Sequence, residues 1–147
     1  MFISSGVINI LDSINRSMGT GFFISSEGII LTCLHVLTDA GYKIGDQIKF
    51  RYSYNETVYK AKWEEDLFDL NYDIAILKAS IPVENYYRFS SSVGYEGIIE
   101  SFGYPNGKKN GIYAKAEVYD LIATPSGVLQ TQLGNANDIT HGFSGAP

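Results

Sequence analysis

Residues 19–36 read GTGFFISSEGIILTCLHV, and this stretch decides the fold. Two short apolar runs, GFFI and IILT, flank the four polar or small residues SSEG. This spacing predicts a β-hairpin, in which Gly28 supplies a turn residue that accepts a positive φ. The LHVL that follows at 34–37 predicts a single helical turn, because TDAG at 38–41 soon ends it.

Most of the remaining chain also reads as short strands. Residues 47–54 alternate apolar and charged side chains, which predicts a half-buried strand, and residues 57–63 return after a turn. The IAIL at 74–77 is a nearly continuous apolar run, which predicts a strand buried on both faces. The segment 7–11 fits either a short helix or a first strand. Three later segments also predict strands: 97–102, 112–122 and 128–133.

A break in this pattern divides the chain into two parts. Residues 79–92 lose periodicity and contain Pro82 and a run of three serines, so they are the best candidate for a linker. Regular short strands with turn residues between them favour barrels or a sandwich. The sequence therefore predicts an all-β protein with an N-terminal lobe at 1–85 and a C-terminal lobe at 90–147.

Composition excludes several classes of function. Eleven Lys and Arg residues against 16 Asp and Glu residues give a net charge of −5, and no basic face typical of a nucleic-acid binder is visible. No apolar run approaches the roughly 20 residues that span a bilayer, and residues 1–16 lack a secretory signal. With Cys33 as the single cysteine, no internal disulfide can form. We expect a cytoplasmic protein without nucleic-acid or membrane partners.

One histidine, one aspartate and one serine stand at strand ends or in a glycine-rich turn. His35 follows the second strand of the hairpin, Asp73 precedes the strand at 74–77, and Ser144 lies in HGFSGAP. A serine hydroxyl is a poor nucleophile until a base removes its proton, and an imidazole can do so near neutral pH. A carboxylate fixes the imidazole tautomer, and glycines let backbone N–H groups converge on an oxyanion. The set predicts nucleophilic hydrolysis.

These residues occur in motifs with a fixed order along the chain. The motifs are GTGF at 19–22, ILT at 30–32 with His35-Val36 after it, YDIAILK at 72–78, FGYP at 102–105 and GFSGAP at 142–147. Together they resemble the trypsin-like (chymotrypsin-fold) serine peptidases, especially the disulfide-free bacterial branch that includes the HtrA/Deg proteins. Each motif is weak alone, but their combination in this order is specific and spans nearly the whole chain.

The resemblance implies a two-lobe double β-barrel and a role for each residue of a catalytic triad. It makes His35 the general base, Asp73 its orienting partner and Ser144 the nucleophile, with the N–H groups of Gly142 and Ser144 as the oxyanion hole. Alternatives to these roles stay open. For His35 the alternative is a hydrogen-bonded structural residue. For Asp73 the alternative is a strand-capping acid, with Asp66 or Asp69 as the partner of the histidine. For Ser144 the alternative is an ordinary turn serine.

The resemblance also indicates how substrate is recognised. Asp138 lies six residues before Ser144, where family members have the floor of the primary specificity pocket, and an acid there favours Arg or Lys. A solvated loop acid is the alternative. His141 would line the pocket entrance or the oxyanion turn, or be a plain loop residue. A zinc site from the two histidines matches no known spacing, and Cys33 reads as a small core residue. No metal or organic cofactor is implied.

Two features depart from the family pattern. Phe143 stands where activated secreted members have an acid before the nucleophile, so we expect no such zymogen step. The sequence ends at Pro147, whereas further strands follow the nucleophile in the family. We expect three to four strands in 90–147, and therefore an incomplete second barrel whose sheet has an open edge.

The sequence thus predicts a serine endopeptidase that acts on polypeptides, as a whole or as the catalytic segment of a larger protein. A complementing C-terminal segment or a fused sensor or signalling module is the expected partner. The main alternative is a protease-like fragment, without activity, that binds a partner through its unfinished sheet edge. An esterase that uses the same triad is a weaker alternative.

Overall fold

The computed structural model describes residues 3–53, 55–89, 97–105, 109–123, 129–134 and 144–147. It consists mainly of antiparallel strands, with one 3-10 turn, Ile3–Gly6, and one α-helix, α1, Leu34–Asp39. No helix in these ranges has the length and apolar character needed to cross a membrane. The strands are β1 Val7–Leu11, β2 Ser17–Phe23, β3 Ile29–Cys33, β4 Gln47–Arg51, β5 Tyr59–Asp69, β6 Ile74–Ala79, β7 Gly97–Gly103, β8 Ile112–Ala123 and β9 Leu129–Gly134.

The first six strands close into a barrel in the order β1-β2-β3-β6-β5-β4. The predicted hairpin is confirmed as β2 and β3, and Gly28 in its turn has φ +87°. A Cβ atom at Gly28 would lie 2.1 Å from the Ala79 carbonyl oxygen, so only glycine fits this crossing of the turn over β6. The segment 7–11 is a strand, and the helical turn predicted at 34–37 is the start of α1.

The barrel interior is filled by the apolar residues that alternate along each strand. On β4, Ile48 and Phe50 are fully buried, whereas Lys49 and Arg51 on the opposite face are half-buried, as the alternation predicts. The prediction that the 74–77 run is buried on both faces is wrong. In β6 burial alternates, with Ala75 and Leu77 inside the barrel and the intervening isoleucines half-buried. The cause is barrel closure, because only one face of each strand points into a closed barrel.

A second sheet contains the three antiparallel strands β7-β8-β9. The expected all-β architecture, with a closed barrel and a partial second sheet, is therefore confirmed. Residues 80–89, between the barrel and this sheet, have no helix or strand, as the linker prediction requires. The lobe limits at 1–85 and 90–147 stay a prediction. The turns predicted at 105–107 and 125–127 lie mostly or wholly outside the described residues.

Tyr104 joins the second sheet to the barrel. Its side chain is fully buried and packs with Val7 and Phe102. Its hydroxyl shares a 2.8 Å hydrogen bond with the Ser53 hydroxyl and lies 3.3 Å from the Val7 carbonyl oxygen. Its backbone N–H donates to the Thr20 hydroxyl over 3.1 Å. The FGYP motif therefore connects the second sheet to β1, to β2 and to the chain just after β4.

Candidate active site

Asp73 positions the start of the helix that carries His35. The Asp73 carbonyl accepts the N–H of Leu34 over 3.0 Å, and its carboxylate accepts the N–H of His35 over 2.8 Å. Both N–H groups belong to the first turn of α1 and have no partner within the helix. Asp73 has φ +55°, a left-handed conformation that is costly for most residues and recurs at functional sites. Asp73 therefore holds the start of this helix, a role distinct from the strand-capping alternative, and it contacts the histidine ring as well.

The His35 ring is hydrogen bonded to the same carboxylate. Nδ1 of His35 contacts Oδ2 of Asp73, and the two side chains remain 43% and 45% exposed. Burial acts to raise the pKa of Asp73. Hydrogen bonds from the side chain and backbone of His35, together with the N–H of Leu34, lower this pKa by more than burial raises it. The net pKa of Asp73 therefore lies below its ordinary value, which keeps it anionic. With Nδ1 facing a carboxylate, Nε2 is left as the proton-accepting nitrogen.

The structure distinguishes Asp73 from one of its sequence alternatives. Asp69 uses Oδ1 to accept the N–H groups of Asn71 and Tyr72, at 2.8 Å and 3.1 Å, so it stabilises the turn that precedes β6. The side chain of Asp66, the other alternative, lies outside the described residues. Of the described acids, Asp73 is the one that contacts His35.

The Ser144 segment lies on the barrel beside β2. The backbone N–H of Thr20 donates to the carbonyl oxygen of Ser144 over 2.9 Å. The next residue, Gly145, has φ +85°, and a Cβ there would lie 1.9 Å from the Thr20 carbonyl oxygen and 2.7 Å from the Thr32 hydroxyl. Thr32 in turn donates its hydroxyl to the Thr20 carbonyl over 2.7 Å. The glycine after the serine is therefore required for this close approach.

Gly19 allows the serine segment and the histidine helix to converge. A Cβ at Gly19 would lie 2.7 Å and 2.8 Å from the two methyl groups of Val36 and 3.2 Å from the Ser144 carbonyl oxygen. Val36 follows His35 directly in α1. The backbone of Ser144 and the helix that carries His35 therefore both lie close to Gly19 of β2. His35 and Ser144 are both among the described residues, and no hydrogen bond joins the His35 ring to the Ser144 hydroxyl. Catalytic hydrogen bonds are often long without substrate and shorten when it binds.

Cys33 lies beside the histidine and aspartate, at the end of β3. Its sulfur, a ring nitrogen of His35 and a carboxylate oxygen of Asp73 lie within 4.8 Å of one another. Burial, and then the negative charge of Asp73, raise the pKa of the Cys33 thiol, so it is not an activated nucleophile. Cys33 packs partly against the core, as predicted, but it also borders the candidate site.

Several predicted site residues lie outside the described part of the chain. Asp138, His141, Gly142 and Phe143 belong to this group, so the specificity pocket and half of the oxyanion hole stay predictions. Sequence reasoning also missed Thr20, which contacts Ser144, Thr32 and Tyr104 through its backbone and hydroxyl groups. Its place in GTGF was a signal for the motif as a whole, but nothing in the sequence indicated these three partners.

Comparison with known proteins agrees with this geometry. Residues 19–147 match the family model described as the trypsin-like peptidase domain. The chain belongs to this family. Membership places the protein among the serine proteases, which are hydrolases, and implies polypeptide as the class of substrate. No curated protein is significantly similar to the chain.

Solved structures of bacterial proteases share the fold. An inactive form of the Rv3671c protease from M. tuberculosis has a TM-score of 0.72 and 20% identity over 99% of this chain and 69% of its own. The active form of the same protease has a TM-score of 0.70 at 21% identity, over 99% and 65%. A serine endoprotease from Yersinia pestis has a TM-score of 0.69 at 23% identity, over 98% of this chain and 49% of its own. The chain thus spans about half to seven tenths of these structures, and active and inactive forms resemble it equally.

Proposed function

We propose that this chain is the catalytic segment of a serine endopeptidase. Ser144 attacks the peptide carbonyl while His35 accepts the hydroxyl proton at Nε2. Asp73 holds the ring through Nδ1 and stabilises the imidazolium that forms. The protonated histidine then gives its proton to the leaving amine. Water, activated by the same histidine, hydrolyses the acyl-enzyme and frees Ser144.

One observation carries the proposal: His35 and Asp73 are hydrogen bonded to each other, and the backbone of Ser144 is held against β2. Asp73 contacts the ring and the backbone N–H of His35, so the imidazole has a fixed orientation. Thr20 holds the carbonyl of Ser144, and Gly19 allows that carbonyl to lie close to Val36. These contacts support the proposal because they hold the His35–Asp73 pair and the Ser144 backbone against the same region of β2 and α1.

The remaining assignments extend the proposal to substrate binding. The backbone N–H groups of Gly142 and Ser144 form the oxyanion hole. Asp138 lies at the floor of the primary specificity pocket and favours Arg or Lys, and His141 lines its entrance. Exchange of Asp138 for serine should therefore remove a preference for basic residues in a peptide panel; an unchanged preference would contradict this assignment.

The test is covalent labelling of the purified chain with a fluorophosphonate probe, read by intact mass. We expect one adduct, located on Ser144, and none in Ser144→Ala or His35→Ala. Ser13→Ala, at an exposed serine, is the matched control and should label as the wild type does. In peptide hydrolysis, loss of the serine or the histidine should cost about 10⁶-fold in turnover. A folded chain that labels equally without His35 would refute the triad. Peptide and ester panels then separate a peptidase from an esterase.

Location and partners belong to the same proposal. We place the protein in the cytoplasm, since its single cysteine allows no internal disulfide. A complementing segment or a fused sensor or signalling module would add strands to the second sheet or control the site.

A second candidate function rests on that sheet. In the described residues β8 is paired on both sides, whereas β7 and β9 each pair only with β8. An exposed edge can accept a strand from a partner, so a protease-like binding protein is the alternative. A folded chain that neither labels nor cleaves, yet binds a partner through β7 or β9, would favour this function.

A further inference from the structure

We propose that Cys33, His35 and Asp73 form an inhibitory binding site for a zinc-like divalent cation. The three side chains offer one sulfur, one nitrogen and one oxygen ligand, all within 4.8 Å of one another. The cation binding itself is independent of the proposed peptidase function, whereas its inhibitory effect rests on that function.

The donor set and its dimensions suit zinc. Zinc binds thiolate at about 2.3 Å and imidazole or carboxylate at about 2.0–2.2 Å, and these bond lengths in a tetrahedron place ligand atoms about 3–4 Å apart. The separations between Cys33, His35 and Asp73 therefore need only small adjustments. Mixed sulfur and nitrogen ligands favour zinc over magnesium or calcium, which prefer oxygen. Three protein ligands leave the fourth position of the tetrahedron for water.

The backbone on both sides of the cluster limits how its members can move. Cys33 and His35 are separated by one residue across the junction of β3 and α1, and Asp73 is bonded to two N–H groups of that helix. A pocket of about 240 Å³ opens beside them and is lined in part by Cys33, Asp73, Gly145 and Ala146. The half-exposed side chains and this pocket give a hydrated ion access to the ligands.

A cation at this position is incompatible with the proposed chemistry. It would take the place of the proton between Nδ1 of His35 and the Asp73 carboxylate, and the Cys33 thiol would bind as thiolate after releasing its proton to solvent. The positive charge on the ring makes the other nitrogen a weaker base, and Asp73 can no longer stabilise an imidazolium. Catalysis and cation binding therefore exclude each other.

The binding test uses Co²⁺ as a spectroscopic probe for zinc. Titration of the metal-free, reduced chain should give one equivalent of bound Co²⁺, with a thiolate-to-cobalt absorption band that Zn²⁺ displaces. Cys33→Ser should abolish the band and weaken binding at least about 10-fold, since a full ligand is lost. Asp73→Asn should also weaken binding, whereas Asp39→Asn, an exposed acid on α1, should not. Thermal unfolding checks that each variant is folded, and Cys33→Ala is a second variant if the serine exchange fails to fold.

The activity test separates this inference from the proposed function. Zn²⁺ should stop fluorophosphonate labelling of the wild type and a chelator should restore it, while Cys33→Ser should need at least about 10-fold more Zn²⁺ for the same inhibition. Cation binding to a metal-free chain that never labels would support the site and contradict the peptidase proposal. Labelling without Cys33-dependent cation binding would overturn the site and leave the peptidase proposal standing.

Discussion

Gly145→Ala tests the role of the residue that seats Ser144 against the barrel. Gly145 has φ +85°, and its Cβ would lie 1.9 Å from the Thr20 carbonyl oxygen, a distance that no Cβ can keep. Gly41 is the matched control because it has the same φ of +85° and no atom within 4 Å of its Cβ position. The two alanine variants therefore share the left-handed strain and differ in the steric clash.

The magnitude follows from the contacts that the clash would break. The left-handed conformation costs alanine about 1–2 kcal/mol, and Gly41→Ala should lose only that amount. To relieve the clash, Gly145→Ala must also give up the hydrogen bond from Thr20 to Ser144 and the one from Thr32 to Thr20, each worth about 1 kcal/mol. Relative to Gly41→Ala, this excess cost of about 2 kcal/mol lowers the fraction of Gly145→Ala molecules that hold Ser144 against the barrel by about 30-fold.

Two assays measure this excess. The rate of fluorophosphonate labelling should fall about 30-fold in Gly145→Ala relative to Gly41→Ala. Urea unfolding should show a larger loss of stability in Gly145→Ala as well. If the two variants label at the same rate and unfold at the same urea concentration, the contact between residue 145 and Thr20 does not position the nucleophile.

Three further predictions concern the contacts around the site. Thr20→Val removes the hydroxyl that accepts the N–H of Tyr104 and leaves that buried N–H unpaired, so urea unfolding should show a loss of about 1–3 kcal/mol that Thr20→Ser does not. Tyr104→Phe removes the hydroxyl bonded to Ser53 and should cost about 0.5–1.5 kcal/mol in the same assay; an unchanged midpoint would contradict a connecting role. Burial raises the pKa of Asp12 and of Asp73, but hydrogen bonds from Arg16 and His35, respectively, lower each pKa below its ordinary value. The stability that these acids contribute is therefore complete above the ordinary pKa of aspartate and is lost as the pH falls through the lowered pKa values. Urea unfolding of the wild type should therefore show less stability at about pH 3 than at about pH 6, and Asp12→Asn should lose less stability between these two pH values. An equal loss in the variant and the wild type would refute this prediction for Asp12.

Local sequence patterns were sufficient to predict β2, β3 and α1. The hairpin at 21–32 follows from two apolar runs and a turn with Gly28, and α1 follows from LHVL before TDAG. These features depend on neighbours in sequence, so the sequence alone determines them. The order of His35, Asp73 and Ser144 carried the resemblance to the family, which the match over 19–147 confirms.

Features that depend on closure or on distant segments were not predictable. The apolar run in β6 has the same composition whether one face or both faces are buried, and only the closed barrel decides this. Likewise, the alternation at 47–54 identifies a strand but not its end, and β4 stops at Arg51. Thr20 gains its role from residues 12, 84 and 124 positions away, Thr32, Tyr104 and Ser144. A single sequence does not identify which of its distant residues contact each other.

The connection between Thr20 and Ser144 has a consequence for the order of events during synthesis. All six barrel strands come from one continuous stretch, Val7 to Ala79, and this stretch leaves the ribosome before Ser144 is made. Domains fold largely as units as they emerge, so the barrel with His35 and Asp73 can form first. The serine then arrives at a surface that already exists. If Ser144 is the nucleophile, as proposed above, the growing chain has no nucleophile in place until residues 144–147 are made and reach the barrel, and newly made polypeptides nearby are not exposed to it earlier.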